Sequence, residues 1–188
     1  MMGGGVSETF KRFRHSRGYG VHSPFAYRLV MNVVHPGSLY EYYGYFDIDA
    51  TLASAGCRSY VAWRMRADAR LLLRLAATLR PKKVFVDPEL HTVYTTALHA
   101  ADSRMPLTGD PAQADGCGLI VASAPTTPLP LLEKGVDEGT AVVLYDTDEE
   151  SSEKLFSRLG EGLMLHSPDR AIIIPRPGMA RVEYSVNL

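Results

Sequence analysis

Apolar positions recur at helical spacing through the middle of the chain. Between about Arg58 and Leu79, the residues Met65, Ala69, Leu72, Ala76 and Leu79 stand four and three apart. That spacing predicts an amphipathic helix. Arg64, Arg66, Arg70 and Arg74 fall mostly off the stripe, and Arg80-Pro81 stops it. From Lys82 the rhythm changes. KKVFVD is a short apolar run ending in Asp87 and Pro88, CGLIVASAP is a second, and TAVVLYDTD is a third that ends at Asp146. Each reads as a strand buried on both faces. Helical or turn segments separate them. ELHTVYTTALHAA carries Leu90, Val93, Tyr94, Ala97 and Leu98 near helical period, and EESSEKLFSRLGEG turns Leu155, Phe156 and Leu159 inward. TTPLPLLEKGVDEG is a short helix or turn. In the tail, Val182, Tyr184, Val186 and Leu188 alternate with polar residues, as on a half-exposed strand.

Buried strands alternating with helices predict an α/β three-layer sandwich with a mainly parallel, reduced Rossmann-like sheet. The closing run of strands predicts antiparallel pairing at the C-terminal edge. The division expected is a helical, aromatic extension over residues 1–57 packed on an α/β domain over 58–188. Ligands in such sheets bind beyond the carboxyl ends of the strands. The tips here run from Asp87 to His91, from Ser123 to Thr126 and from Asp146 to Glu149.

The N-terminal segment RGYGVHSPFAYRLV supports two readings. Ser23 is a good N-cap, Pro24 suits a first helical turn, and Phe25, Leu29, Val30, Val33 and Val34 form an apolar face. Alternatively, His22 and Ser23 point into a cleft and bind substrate. FKRFRHSR interleaves Phe10 and Phe13 with Lys11, Arg12, Arg14, His15 and Arg17. It reads as a solvated basic helix whose phenylalanines pack on the domain, or as a nucleic-acid or anionic-lipid contact. With a net charge of −1 the whole chain has no electrostatic bias, so neither nucleic acid nor membrane is the expected partner. YEYYGYF packs the extension on its domain, sits at a subunit contact, or offers a stacking platform.

The order GYGVHSPFAYRLV, YEYYGYF, RLLLRLAATLRPKKVFVD, AVVLYD and RAIIIPRP resembles Bacteroidetes-type class I S-adenosylmethionine-dependent methyltransferases. The resemblance implies a Rossmann-like fold of small-molecule O-methyltransferase type, with S-adenosylmethionine as cofactor. The departures are specific. Where the family has an acidic, glycine-rich E-x-G-x-x-x-G loop after the first strand, this chain reads VFVDPELHTVYTT. Val86 replaces the acid, Pro88 the first glycine and Thr92 the second. Only one short strand, about Met105 to Thr108, fits before CGLIVASAP, and the next tip reads Ala122-Ser123-Ala124-Pro125. A family Asp-Asp pair is Asp146-Thr147 here.

The expected function is therefore a divergent methyltransferase-family protein with an impaired cofactor site, with a non-catalytic binding or dimerisation module as the alternative. Asp146 and His91 are the candidate bases. Asp87, Glu89, Thr92 and Ser123 are the candidate cofactor contacts, and His22 and Ser23 the candidate substrate contacts. Asp87, Glu89, Asp146 and Asp148 read equally as helix-start residues. The partner expected is a small molecule or none, and a homodimer is the expected assembly of the alternative. The six histidines show no close ligand spacing, and Cys57 and Cys117 form no Cys-x-x-Cys unit, so no metal is expected. Two distant cysteines, no membrane-length apolar run and no signal-peptide core point to a cytoplasmic location.

Overall fold

The computed structural model describes residues 5–36, 44–56 and 59–188. Most of the tyrosine-rich run YEYYGYF, together with Cys57, lies outside the described residues.

Among the described residues, seven strands make one sheet: β1 (Val84–Val86), β2 (Leu107–Thr108), β3 (Leu119–Ser123), β4 (Ala141–Tyr145), β5 (Gly162–Ser167), β6 (Arg170–Pro175) and β7 (Val182–Ser185). Their order is β2-β1-β3-β4-β6-β5-β7. The first four are parallel, β6 is antiparallel to both β4 and β5, and β7 runs parallel to β5. This is the expected α/β sandwich with a mainly parallel sheet. The antiparallel pairing comes from β6 alone, and a parallel strand closes the C-terminal edge. A tight turn at Pro168-Asp169 forces the β5–β6 hairpin, whereas residues 176–181 are long enough to pass around the end of β5. Gly162 sits at that passage with φ +137°, and a Cβ there would lie 2.3 Å from the Ile174 carbonyl oxygen. Only glycine tolerates that approach.

Strand side chains alternate cleanly. Val84 and Val86, Leu119 and Val121, and Val143 and Tyr145 face one layer; Phe85, Ile120, Ala122, Val142 and Leu144 face the other. The first layer holds α2 (Pro24–Leu29), α3 (Gly44–Ser54), α4 (Ser59–Leu79) and α5 (Val93–Ala101). The second holds α6 (Leu129–Asp137) and α7 (Glu149–Arg158). A further helix, α1 (Gly5–Ser16), lies against β7. The link from β2 to β3 carries a short 3-10 turn, Pro111–Gln113, in place of a crossover helix. It passes so close to β1 that a Cβ on Gly118 would meet Pro81 at 3.2 Å.

The helix-start reading of the His-Ser-Pro segment is the one observed. Ser23 is extended, its Oγ accepts from the Ala26 amide at 3.3 Å, and Pro24 opens the helix. After Leu29 the chain makes one π-helical turn, Val30–Val34, closed by the His35 amide on the Val30 carbonyl.

The arginines off the α4 stripe hold the N-terminal region in place. Buried Arg74 donates to the Val33 carbonyl and the Tyr45 hydroxyl, each at 2.7 Å. Arg66 and Arg70 clamp Asp49 of α3 at 2.7 and 3.0 Å. A guanidinium can be buried when its fixed donors all find acceptors nearby. The free edge of β7 is covered rather than left open. The Ser185 carbonyl lies 3.1 Å from His15 Nδ1, and the Asn187 amide donates to Ser16 Oγ at 2.7 Å.

Candidate functional site

The strand order reverses direction between β1 and β3, because β2 pairs on one side of β1 and β3 on the other. Crevices at such switch points are where open α/β sheets bind ligands. A cleft of about 560 Å³ opens there, walled by the tips of β1, β3 and β4 and by the first half of α4. Glu89, His91, Ser123 and Asp146 line it, as do Tyr60, Arg64, Asp68, Tyr94, Thr126 and Tyr145.

Four of the predicted site residues thus converge. Asp87 sits beneath them and is 3% exposed. Its carboxylate accepts from Thr126 Oγ1 at 2.6 Å, from the Thr127 hydroxyl and from the Glu89 amide at 3.0 Å. Burial pushes this carboxyl upward, but these bonds and one from the Ser123 amide outweigh it, and it titrates below the usual carboxylate range. Both oxygens are spent inside the protein, so Asp87 ties β1 to the β3 turn and has little left for a ligand. Thr92 is exposed beside the start of α5 and does not line the cleft. His22 and Ser23 also lie outside it. The His22 amide donates to the Tyr184 hydroxyl, and Ser23 is used as a cap.

The two candidate bases are both engaged. Asp146 adopts the left-handed conformation, φ +50°, which aspartate tolerates better than most residues. Arg64 reaches its carboxylate at 3.0 Å and also Asp169 at 2.8 Å. His91 Nδ1 accepts from the Val93 amide at 3.1 Å, which places the neutral ring's proton on Nε2. The lone pair that a general base needs is therefore occupied. Asp148 caps α7 through the Ser151 amide at 2.7 Å.

A buried polar cluster forms the cleft floor, and sequence reasoning missed it. Asp68 of α4 is 3% exposed and pairs with Arg170 of β6, 2.7 Å from Nε and 3.2 Å from a terminal nitrogen. Burial holds the Asp68 carboxyl above the usual range even beside that guanidinium. Tyr94 and Tyr145 touch with ring centroids 4.9 Å apart. Burial, followed by the nearby Asp68 charge, pushes both phenols upward, so both stay protonated. The Tyr145 hydroxyl is buried without a hydrogen-bond partner among the described residues. The signal for Asp68 was present in the pattern: an acid three residues after Met65 and four before Leu72 falls on the buried stripe.

The resemblance places S-adenosylmethionine at the loop after β1. The space between the β1 and β2 tips is closed. Gly109, just after β2, lies so near Pro88 that a Cβ there would meet the ring at 3.1 Å. Proline offers no amide donor and Asp87 no free oxygen, so these residues do not fit a cofactor cradle of that kind. Among the described residues there is no group of three or more His, Cys, Asp or Glu arranged to hold a metal ion. No helix among them is long and apolar enough to cross a membrane. Comparison with family models, with curated proteins and with solved structures finds no match to this chain.

Proposed function

We propose that the chain is a divergent class I methyltransferase-like protein that no longer binds S-adenosylmethionine. It acts as a non-catalytic module that binds a small molecule at the tips of β1, β3 and β4. The observation that carries this reading is the closed β1–β2 space, with Pro88 against Gly109 and Asp87 consumed by internal bonds, beside a cleft that stays open. Engagement of Asp146 by Arg64 and of His91 by an amide favours binding over proton transfer.

The lining suggests the ligand's chemistry. Asp68 is paired with Arg170 and Asp146 with Arg64, so Glu89 is the wall carboxylate left to meet a ligand, and three tyrosines line the cleft with it. That surface suits a protonated arylalkylamine, held by the Glu89 carboxylate and by cation–π contact. The unpartnered Tyr145 hydroxyl under the cleft supports a polar occupant. Amide chemical-shift mapping with a set of arylalkylamines tests the reading. Shifts at Glu89, His91, Ser123 and Asp146, weakened by Glu89→Gln, are expected. Shifts confined to Thr108 and Gly109 at the β2 tip, or absent throughout, would overturn it.

A dimeric form of the module has its own support. Tyr60 and Trp63 stack at the mouth with centroids 6.3 Å apart and stay largely exposed beside Val61. Solution scattering that reports a monomer would remove this form.

A further inference from the structure

Helix α1 is amphipathic the wrong way round. Polar Arg12, His15 and Ser16 turn toward the protein, where His15 and Ser16 bond the β7 segment. Phe10 and Phe13 point outward, 61% and 46% exposed. The expectation that these rings pack on the domain is not met. Phe10, Phe13 and Arg14 are spaced i, i+3 and i+4, so they form one outer stripe, and Arg17 follows in the turn that ends the helix. Arg17 lies over the Phe13 ring at 4.4 Å. A groove of about 400 Å³ between α1 and the loop after it is lined by Phe10, Lys11, Arg14, His15 and Tyr19.

Charge along α1 is segregated, which a net charge of −1 for the chain conceals. Lys11, Arg14 and Arg17 belong to the outer face. Glu8 and Arg12 line a separate cavity with Asp148, Glu153 and Glu183. We infer that the outer face of α1 docks peripherally on an anionic lipid membrane, with Phe10 and Phe13 entering the interface and Lys11, Arg14 and Arg17 meeting lipid phosphates. An apolar stripe edged by basic residues is the surface that lies in a membrane interface. A second copy placed on the same face would set three cations against three, which disfavours self-association there.

Co-sedimentation of the full chain with vesicles tests this. Phosphatidylcholine vesicles with roughly one-third phosphatidylserine should bind it, and pure phosphatidylcholine should not. Raising salt to about 1 M should release it. Lys11→Ala with Arg14→Ala should lower partitioning about thirtyfold, at about 1 kcal/mol per basic residue. Phe10→Ser with Phe13→Ser should lower it at least about tenfold. Both pairs are exposed, so circular dichroism should match the wild type. No binding to the anionic vesicles, equal binding to neutral ones, or unchanged binding by either double variant would overturn the inference. Binding to single-stranded polyuridylate in place of vesicles would overturn it in favour of nucleic acid.

Discussion

Replacing Asp87 by asparagine isolates the bond set that closes the loop after β1. The shape is kept, and one oxygen still accepts from the Glu89 amide at 3.0 Å. The other becomes an NH2 group facing the hydroxyls of Thr126 and Thr127, both of which donate to it in the native chain. Bonds to a charged acceptor contribute about 1.5–3 kcal/mol each, and a buried donor left facing donors costs a similar amount. The hydroxyls can rotate, so the net loss should be about 3 kcal/mol. For a chain of 188 residues that is a fall in Tm of about 9 °C. Its pH dependence has a definite sign. The folded carboxyl titrates below its unfolded value, so its stabilisation is full above the ordinary carboxylate range and is lost as pH falls through the folded value. Thermal unfolding of both proteins from neutral pH downward should show a gap that is constant above about pH 5 and narrows in acid. Equal melting at neutral pH would mean that the carboxylate is free, and the argument that the loop is internally locked would fail.

Other substitutions probe the rest of the account. Asp68→Asn should cost about 3 kcal/mol in urea unfolding, because it takes the buried carboxylate from the Arg170 charge and leaves it Asp169 at 3.5 Å and the Leu188 carbonyl at 3.0 Å. Tyr145→Phe should leave stability unchanged or raise it by about 1 kcal/mol, since the hydroxyl removed is buried without a hydrogen-bond partner among the described residues. Gly162→Ala should destabilise by about 3 kcal/mol or more, measured by the same unfolding assay, as its Cβ has no room beside Ile174.

The sequence carried the fold well where periodicity was long or strands were fully buried. The helix expected from Arg58 to Leu79 is α4, and the three runs ending at Asp87, Ser123 and Asp146 are β1, β3 and β4. Strand β2 is two residues long, too short for a period to register, yet it fell inside the stretch that had room for it. The parallel seating of β7 could not be read, because strand direction depends on how the 176–181 connection wraps and not on the residues of the strand itself. Of the candidate site, the residues at strand tips were legible from topology: Glu89, His91, Ser123 and Asp146 meet in one cleft. Residues contributed from the side were not. Arg64 read only as one of four arginines mostly off the α4 stripe, and nothing in the pattern singled out Arg170. Their roles depend on α4 crossing the tips of β4 and β6, a tertiary fact. Phe10 and Phe13 failed for the converse reason. Two phenylalanines on a basic helix read as packed on the domain, but hydrogen bonds between the β7 segment and His15 and Ser16, the Asn187 amide donating to Ser16, decide which side of α1 turns inward.

Calorimetric titration of the intact chain with S-adenosylmethionine and with S-adenosylhomocysteine tests the central claim most directly. The closed space between Pro88 and Gly109 predicts no binding heat with either compound. Micromolar binding of either one, about −8 kcal/mol, would contradict the account and make methyl transfer the activity to assay.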